Sequence, residues 1–229
     1  MKILGLIGGI SWVSTLDYYK LINEGMNEKL GGLNFAECMI YSFNYGDIKR
    51  NNDANDWDKT LEMITKASLN MKNGGAEAIV LCANTMHLIA DKLEQNIQIP
   101  VIHIASATAD VIKQKGMKKV GMLGTRFTME RDFFRNKLIE NGIEMIIPDD
   151  EDRAHIHHTI FEEFGRGIFK PETRKYYLEV MQKLVAKGAE GIILGCTEIP
   201  MLISKDDTDI PMFDTTAIHA NAAIEFALS

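Results

Sequence analysis

The sequence predicts an α/β protein made of two similar half-domains, each a parallel sheet flanked by helices. Three observations carry this. Short apolar runs rich in Ile, Val and Leu alternate with longer segments of helical periodicity, the pattern of a parallel sheet with crossover helices. Three segments recur in the same order along the chain. The length of 229 residues suffices for two small cores or one large one.

Strands are read at Ile3–Gly8, Cys38–Phe43, Ala78–Leu81, Val101–Ile104, Val120–Leu123, Glu144–Ile147, Gly191–Leu194 and Met212–Asp214. Helices lie between them, among them Thr15–Leu30, Trp57–Lys72, Met129–Asn141 and Thr173–Lys187. In the first helix, Leu16, Tyr19, Ile22 and Met26 have the spacing of a buried stripe.

The repeats set the organisation. KILGLIGG from Lys2 resembles KKVGMLGT from Lys118. GGAEAIVLCANTMH from Gly74 resembles KGAEGIILGCTEIP from Lys187. IPVIHIA from Ile99 resembles IPMFDTT from Ile210. Three matches in order point to a duplicated βα unit and pseudo-symmetric halves. The expected division is residues 1–99 plus 212–229 for the first half and 100–211 for the second. Ligands of open parallel sheets sit beyond the carboxyl ends of the strands. A site is therefore expected in the cleft where the halves face each other. The residues there are small or hydroxylated, which suits a small, polar, anionic ligand.

Composition narrows the class. The net charge is −7, and no long basic run is present, so a nucleic-acid or anionic-membrane surface is not expected. No apolar run reaches the roughly 18–20 residues of a bilayer span. The beginning, MKILGLIGGIS, lacks a signal-peptide cleavage pattern. Three cysteines are an odd number and no disulfide framework, so free thiols and a cytoplasmic location are expected.

The motifs GGISWVST (Gly8–Thr15), ANTMH (Ala83–His87), GTRFTM (Gly124–Met129), GCTEIP (Gly195–Pro200) and FDTTAIHA (Phe213–Ala220) resemble the cofactor-independent aspartate/glutamate racemase superfamily over essentially the whole chain. The GGISW start places it near the broad-specificity amino-acid racemases of the aspartate racemase group. The resemblance implies an isomerase that moves the Cα proton of an amino acid with two opposed thiols, using neither metal nor pyridoxal phosphate. It also implies a homodimer and a small amino-acid or dicarboxylate substrate, with aspartate or glutamate favoured.

Cys196 follows the seventh strand and fits the thiol of one half. A helix start at Pro200 would favour its thiolate. Glu198 would orient or buffer that thiol, or simply sit in a helix's first turn. The other half departs from the family's pattern, in which a cysteine directly precedes Asn-Thr. Here Ala83 does, and Cys82 comes one residue early both by that comparison and by the internal repeat. Strand side chains alternate faces, so Cys82 points into the core if the strand continues to Ala83. If the turn twists after Leu81, Cys82 swings into the site as the second catalytic thiol. Single-cysteine relatives such as arylmalonate decarboxylase protonate a carbanion on one face only. A malonate-type decarboxylase and a degenerate dicarboxylate-binding protein are therefore the alternatives.

Asn84, Thr85, Thr125 and Thr197 match substrate-binding positions of the family, Ser11 is placed to join them from the glycine turn, and all of them also suit helix capping. Arg166 offers a planar fork to a second carboxylate, or is a solvated surface residue. Lys49 and Arg50 are weaker candidates for the same role. His87 is within reach as a substitute acid or base. His155, His157 and His158 have no usual zinc spacing and are expected on a surface or hinge helix. Cys38 reads as core.

Overall fold

A computed structural model describes all residues from Met1 to Ser229. All eight expected strands are present: β1 (Leu4–Gly8), β2 (Cys38–Ser42), β3 (Ala78–Leu81), β4 (Val101–Ile102), β5 (Lys119–Gly124), β6 (Glu144–Ile146), β7 (Ile192–Gly195) and β8 (Met212–Asp214). They form two four-stranded sheets, ordered β2-β1-β3-β4 and β6-β5-β7-β8, with every pairing parallel. The repeat seen in the sequence is thus a repeat of topology. Strands β1 and β3 are buried along their whole length, as parallel strands covered on both faces must be.

The chain divides into a unit of residues 1–103 with 219–229 and a unit of residues 104–218. Both boundaries fall after a fourth strand, not before it as the sequence suggested. Strand β4 pairs with β3 and β8 pairs with β7, so residues 100–103 and 212–218 belong to the other unit from the one expected. A strand is held by its ladder, and a repeat boundary drawn at Pro100 and Pro211 cannot show which ladder it joins.

Helices follow in chain order: α1 (Trp12–Leu30), α2 (Tyr45–Asp53), α3 (Trp57–Asn73), α4 (Ala90–Ile97), α5 (Ile104–Gln114), α6 (Arg126–Glu130), α7 (Asp132–Glu140), α8 (Asp150–Glu162), α9 (Pro171–Ala186), α10 (Ile199–Leu202) and α11 (Thr215–Leu228). The expected helix Met129–Asn141 is two helices. Arg131 takes an extended conformation with ψ 153°, and the chain restarts at Asp132.

The first sheet has a core on each face. One packs Ile7, Ile79 and Leu81 against Ile48, Ile64, Met71 and Leu93. The other packs Leu4, Leu6, Ala78, Val80 and Cys82 against Tyr18, Ile22, Met26 and Ile224. In α1 the buried row is Ser14, Tyr18, Ile22 and Met26, at four-residue steps, together with Thr15. Leu16 and Tyr19, expected in that row, are exposed beside Trp12. They lie too far round the helix from the sheet. In the second unit one continuous core joins Val120, Met122, Ile193 and Leu194 to Phe134, Ile156, Tyr177 and Leu184.

Candidate active site

In the second unit, β5 and β7 end side by side, with Gly124 paired to Gly195. A Cβ on Gly124 would lie 3.1 Å from the Gly195 carbonyl oxygen, and one on Gly195 would lie 2.8 Å from the Met122 sulfur. Two glycines therefore let the strand ends close together. Thr125 and Cys196 are the next residue on each strand, and both are half-buried. At the end of β8, the Thr215 hydroxyl donates to the Leu194 carbonyl at 2.9 Å, tying the start of α11 to β7. Thr215 lies in the FDTTAIHA motif, among the residues that the sequence places just after the last strand.

Cys196 is the chemical centre of this edge. Its Sγ lies 2.9 Å from Glu198 Oε2, which also accepts from the Thr197 hydroxyl at 2.7 Å. Burial and the Glu198 carboxylate push the thiol well above its ordinary value, while the backbone N–H groups of Glu198 and Thr197 pull the other way. This reverses the expectation of a thiolate favoured by a helix. The helix after it, α10, is only four residues long, and Glu198 places a negative charge in front of it. Thr125 caps α6, accepting from the Thr128 N–H at 3.3 Å, so its role as a cap is real.

In the first unit, the turn after β1 is held by Gly9, whose φ is +80°. Its N–H donates to the Thr15 hydroxyl at 3.0 Å. Ser11 caps α1 by accepting from the Ser14 N–H at 3.2 Å. Past β3, Ala83 is extended (φ −156°, ψ 130°) and a 3-10 turn runs from Asn84 to Ile89. Asn84 is buried and Thr85 half-buried at its start.

The alternation of β3 continues through this turn. Ala78, Val80 and Cys82 pack into one core; Ile79, Leu81 and Ala83 pack against the other. Cys82 is 1% exposed, and its Sγ has only the Val80 carbonyl at 3.8 Å. Burial, with Cys38 nearby, raises its thiol far above the ordinary value. As a candidate catalytic thiol Cys82 is corrected: it is a core side chain.

His87, expected within reach of the site as a substitute acid or base, is a buried ring. It is 2% exposed, its Nε2 lies 3.3 Å from the Leu81 carbonyl oxygen, and its ring centroid is 4.8 Å from His103 and 5.1 Å from His219. Burial, then the two other rings, hold it well below the usual histidine value. Arg166 is exposed and ion-paired with Glu162, one helical turn before it. Lys49 and Arg50 are likewise exposed and paired, with Asp53 and Asp47. The histidines of α8 go separate ways: His155 packs on Tyr176, His157 Nδ1 accepts from the Arg126 N–H, and His158 is exposed. Cys38 is half-buried on β2, the edge strand of the first sheet.

The chain is an α/β protein of two parallel-sheet units with small, hydroxylated strand ends, the second carrying a half-buried thiol at the end of β7. Residues 7–223 match the family model described as Asp/Glu/Hydantoin racemase. A solved structure of a candidate Asp/Glu racemase from Yersinia pestis is 47% identical, superposes with a TM-score of 0.96, and covers 100% of both chains. An aspartate racemase homologue from Pyrococcus horikoshii is 35% identical, with a TM-score of 0.89 and 100% of both chains covered. The broad-specificity amino-acid racemase RacX of Bacillus subtilis is 23% identical over 99% of this chain and 98% of its own. The chain belongs to the Asp/Glu/hydantoin racemase family: it is an isomerase, an amino-acid racemase of that family. No helix is long and apolar enough to cross a membrane.

Proposed function

We propose that the protein racemises aspartate, glutamate or a similar small polar amino acid without a cofactor, with Cys196 as its principal acid/base. The observation that supports this most is the half-buried Cys196 at the end of β7, whose Sγ has the Glu198 carboxylate at 2.9 Å and the backbone N–H groups of Thr197 and Glu198 turned towards it. Thr125 and Thr197, on the strand ends of the second unit, are proposed to hold the substrate's carboxylate and amino group there; Ser11, Asn84 and Thr85 are proposed as the substrate-binding positions of the first unit. Hydroxyls and amides bind a carboxylate without adding charge near the thiol. In the proposed step the Cys196 thiolate takes the Cα proton: the C–H bond breaks, S–H forms, and the electron pair passes into the carboxyl group. Ala83 supplies no second thiol, so the proton for the opposite face comes from water or from a group other than cysteine.

That same asymmetry supports a second reading. A single thiol suffices for carbanion protonation on one face, as in decarboxylation of a substituted malonate. A catalytically silent dicarboxylate binder is the third. A homodimer is proposed as the working form, supported by the exposed apolar row Trp12, Leu16 and Tyr19 on α1. Light scattering that returns a mass near 26 kDa rather than twice that would end the dimer reading.

The test is to incubate each enantiomer of aspartate and glutamate in D₂O and follow loss of the Cα–H signal by NMR. Exchange is expected for at least one amino acid. It should fall by roughly 10²–10⁴-fold in Cys196→Ala. No exchange with any of them overturns the racemase reading. Decarboxylation of a malonate by the same sample would establish the second, and ligand-induced thermal stabilisation without turnover the third.

A further inference from the structure

Helix α6 is little more than one turn, Arg126–Glu130, and it starts from Thr125, the residue proposed to meet the substrate at the end of β5. The first N–H groups of a helix have no partner within it, and a helix this short has almost no other bonds to hold its place. Helix α8 supplies the grip. At the first residue of α6, the Arg126 N–H donates to His157 Nδ1 at 3.3 Å. At the last, Arg153 Nε donates to Glu130 Oε1 at 3.0 Å, and Arg126 Nε lies 3.5 Å from the same oxygen. Arg153 and His157 are one turn apart on α8, as Arg126 and Glu130 are on α6, so the two contacts keep the helices in register. Within the turn itself, the Thr125 hydroxyl accepts from the Thr128 N–H.

We propose that His157 is a positioning residue for the substrate site: as a neutral ring with its proton on Nε2, it holds the first N–H of α6 and so sets where Thr125 sits. The inference rests on the reading of Thr125 as a substrate-binding residue. A backbone N–H can only donate, so this bond requires the lone pair of Nδ1. A proton taken from solvent onto Nδ1 turns that nitrogen into a donor. Two donors then face each other, the bond is lost, and a cationic ring stands beside Arg126. The turn at Thr125 loosens, and the substrate's carboxylate is held less well. The clamp is closed at neutral pH and opens in mild acid.

The groups that face the ring come from two helices. From α6, the Arg126 guanidinium disfavours a second positive charge and the Glu130 carboxylate favours it. Glu130 is already shared between Arg126 and Arg153. On α8 itself, His158 disfavours the charge, and Phe161 packs edge-on with its centroid 4.9 Å away. Burial is the largest influence, and with the neighbouring cations it holds the ring below the ordinary histidine value of 6.5. The bond is therefore complete above that value and is lost as the pH falls through the ring's own, lower one.

The experiment measures KM and kcat for Cα-proton exchange from about pH 7.5 to about pH 5, and in parallel follows the Arg126 amide signal of ¹⁵N-labelled protein in H₂O over the same range. In His157→Asn, the side-chain oxygen can accept where Nδ1 did and does not titrate. This variant should match the parent's KM within about twofold at the neutral end and have a KM about fivefold below the parent's at the acid end, the worth of one hydrogen bond, with kcat the same at both. His157→Leu keeps the packing but cannot accept, and its KM should be raised about fivefold even at the neutral end. The Arg126 amide should shift with a single midpoint below 6.5 in the parent and stay still in both variants. A His157→Asn whose KM follows the parent's into acid, or a parent amide that does not move, overturns the proposal. If the parent exchanges no amino acid, the racemase reading fails on its own, and the amide titration still decides whether His157 holds α6.

Discussion

Cys82 and Ala83 are neighbours in sequence and point to opposite faces of the first sheet. Cys82 packs with Val80 and Tyr18, and Ala83 with Leu81 and Ile79. Cys82→Ser should therefore leave Cα-proton exchange unchanged within about twofold, while lowering stability by roughly 1–2 kcal/mol for the buried hydroxyl. Ala83→Cys should add a thiol that iodoacetamide labels faster than Cys82, and should create or broaden racemisation. Labelling of Cys82 at the rate of Cys196 in the parent protein would contradict the assignment.

Arg166 is turned to Glu162 and lies on the surface. Arg166→Ala is expected to change KM for aspartate or glutamate by less than about threefold, since exposed ion pairs of this kind contribute only about 0–1 kcal/mol. A tenfold rise in KM with kcat unchanged would instead return Arg166 to the substrate.

Gly9 holds the turn after β1 at φ +80°, and a Cβ there would meet the Phe43 carbonyl oxygen at 2.2 Å. Backbone atoms cannot yield as a side-chain tip does. Gly9→Ala should destabilise the first unit by about 2 kcal/mol or more. Urea unfolding with an unchanged midpoint would show that the turn relaxes freely.

His219 is fully buried between the Tyr18 hydroxyl, 2.8 Å from Nδ1, and the Ile102 carbonyl oxygen, 2.6 Å from Nε2. Burial holds its pKa at about 4, against 6.5 when free. Between these two values the unfolded chain binds a proton that the folded chain does not. Stability is thus complete above about pH 6.5 and is lost as pH falls towards 4, by on the order of 3 kcal/mol from this ring. His87, also held low, adds in the same direction. Urea midpoints at pH 7, 5.5 and 4.5 should decline in that order. A flat profile across this window would mean the ring is protonated in the folded state.

The eight strands were legible because a buried parallel strand must be apolar on both faces, and runs such as LGLIG and IILG meet that demand locally. Cys196 was legible because one short motif puts thiol, hydroxyl and carboxylate on consecutive residues. Less could be read for α1. Leu16 and Tyr19 have helical spacing, yet only the sheet beneath decides which row is buried, and it selected Tyr18.

Sequence alone determined the α/β class, the duplication, the displaced thiol of the first repeat and the position of Cys196, since each follows from local pattern or from comparing the chain with itself. Tertiary structure decided the rest. It assigned β4 and β8 to their sheets, since ladder pairing joins residues distant in the chain. It carried the strand alternation through Ala83, which buries Cys82. It also brought the Glu198 carboxylate onto the Cys196 proton, because a side chain's rotamer and the desolvation around it depend on neighbours that no stretch of sequence contains.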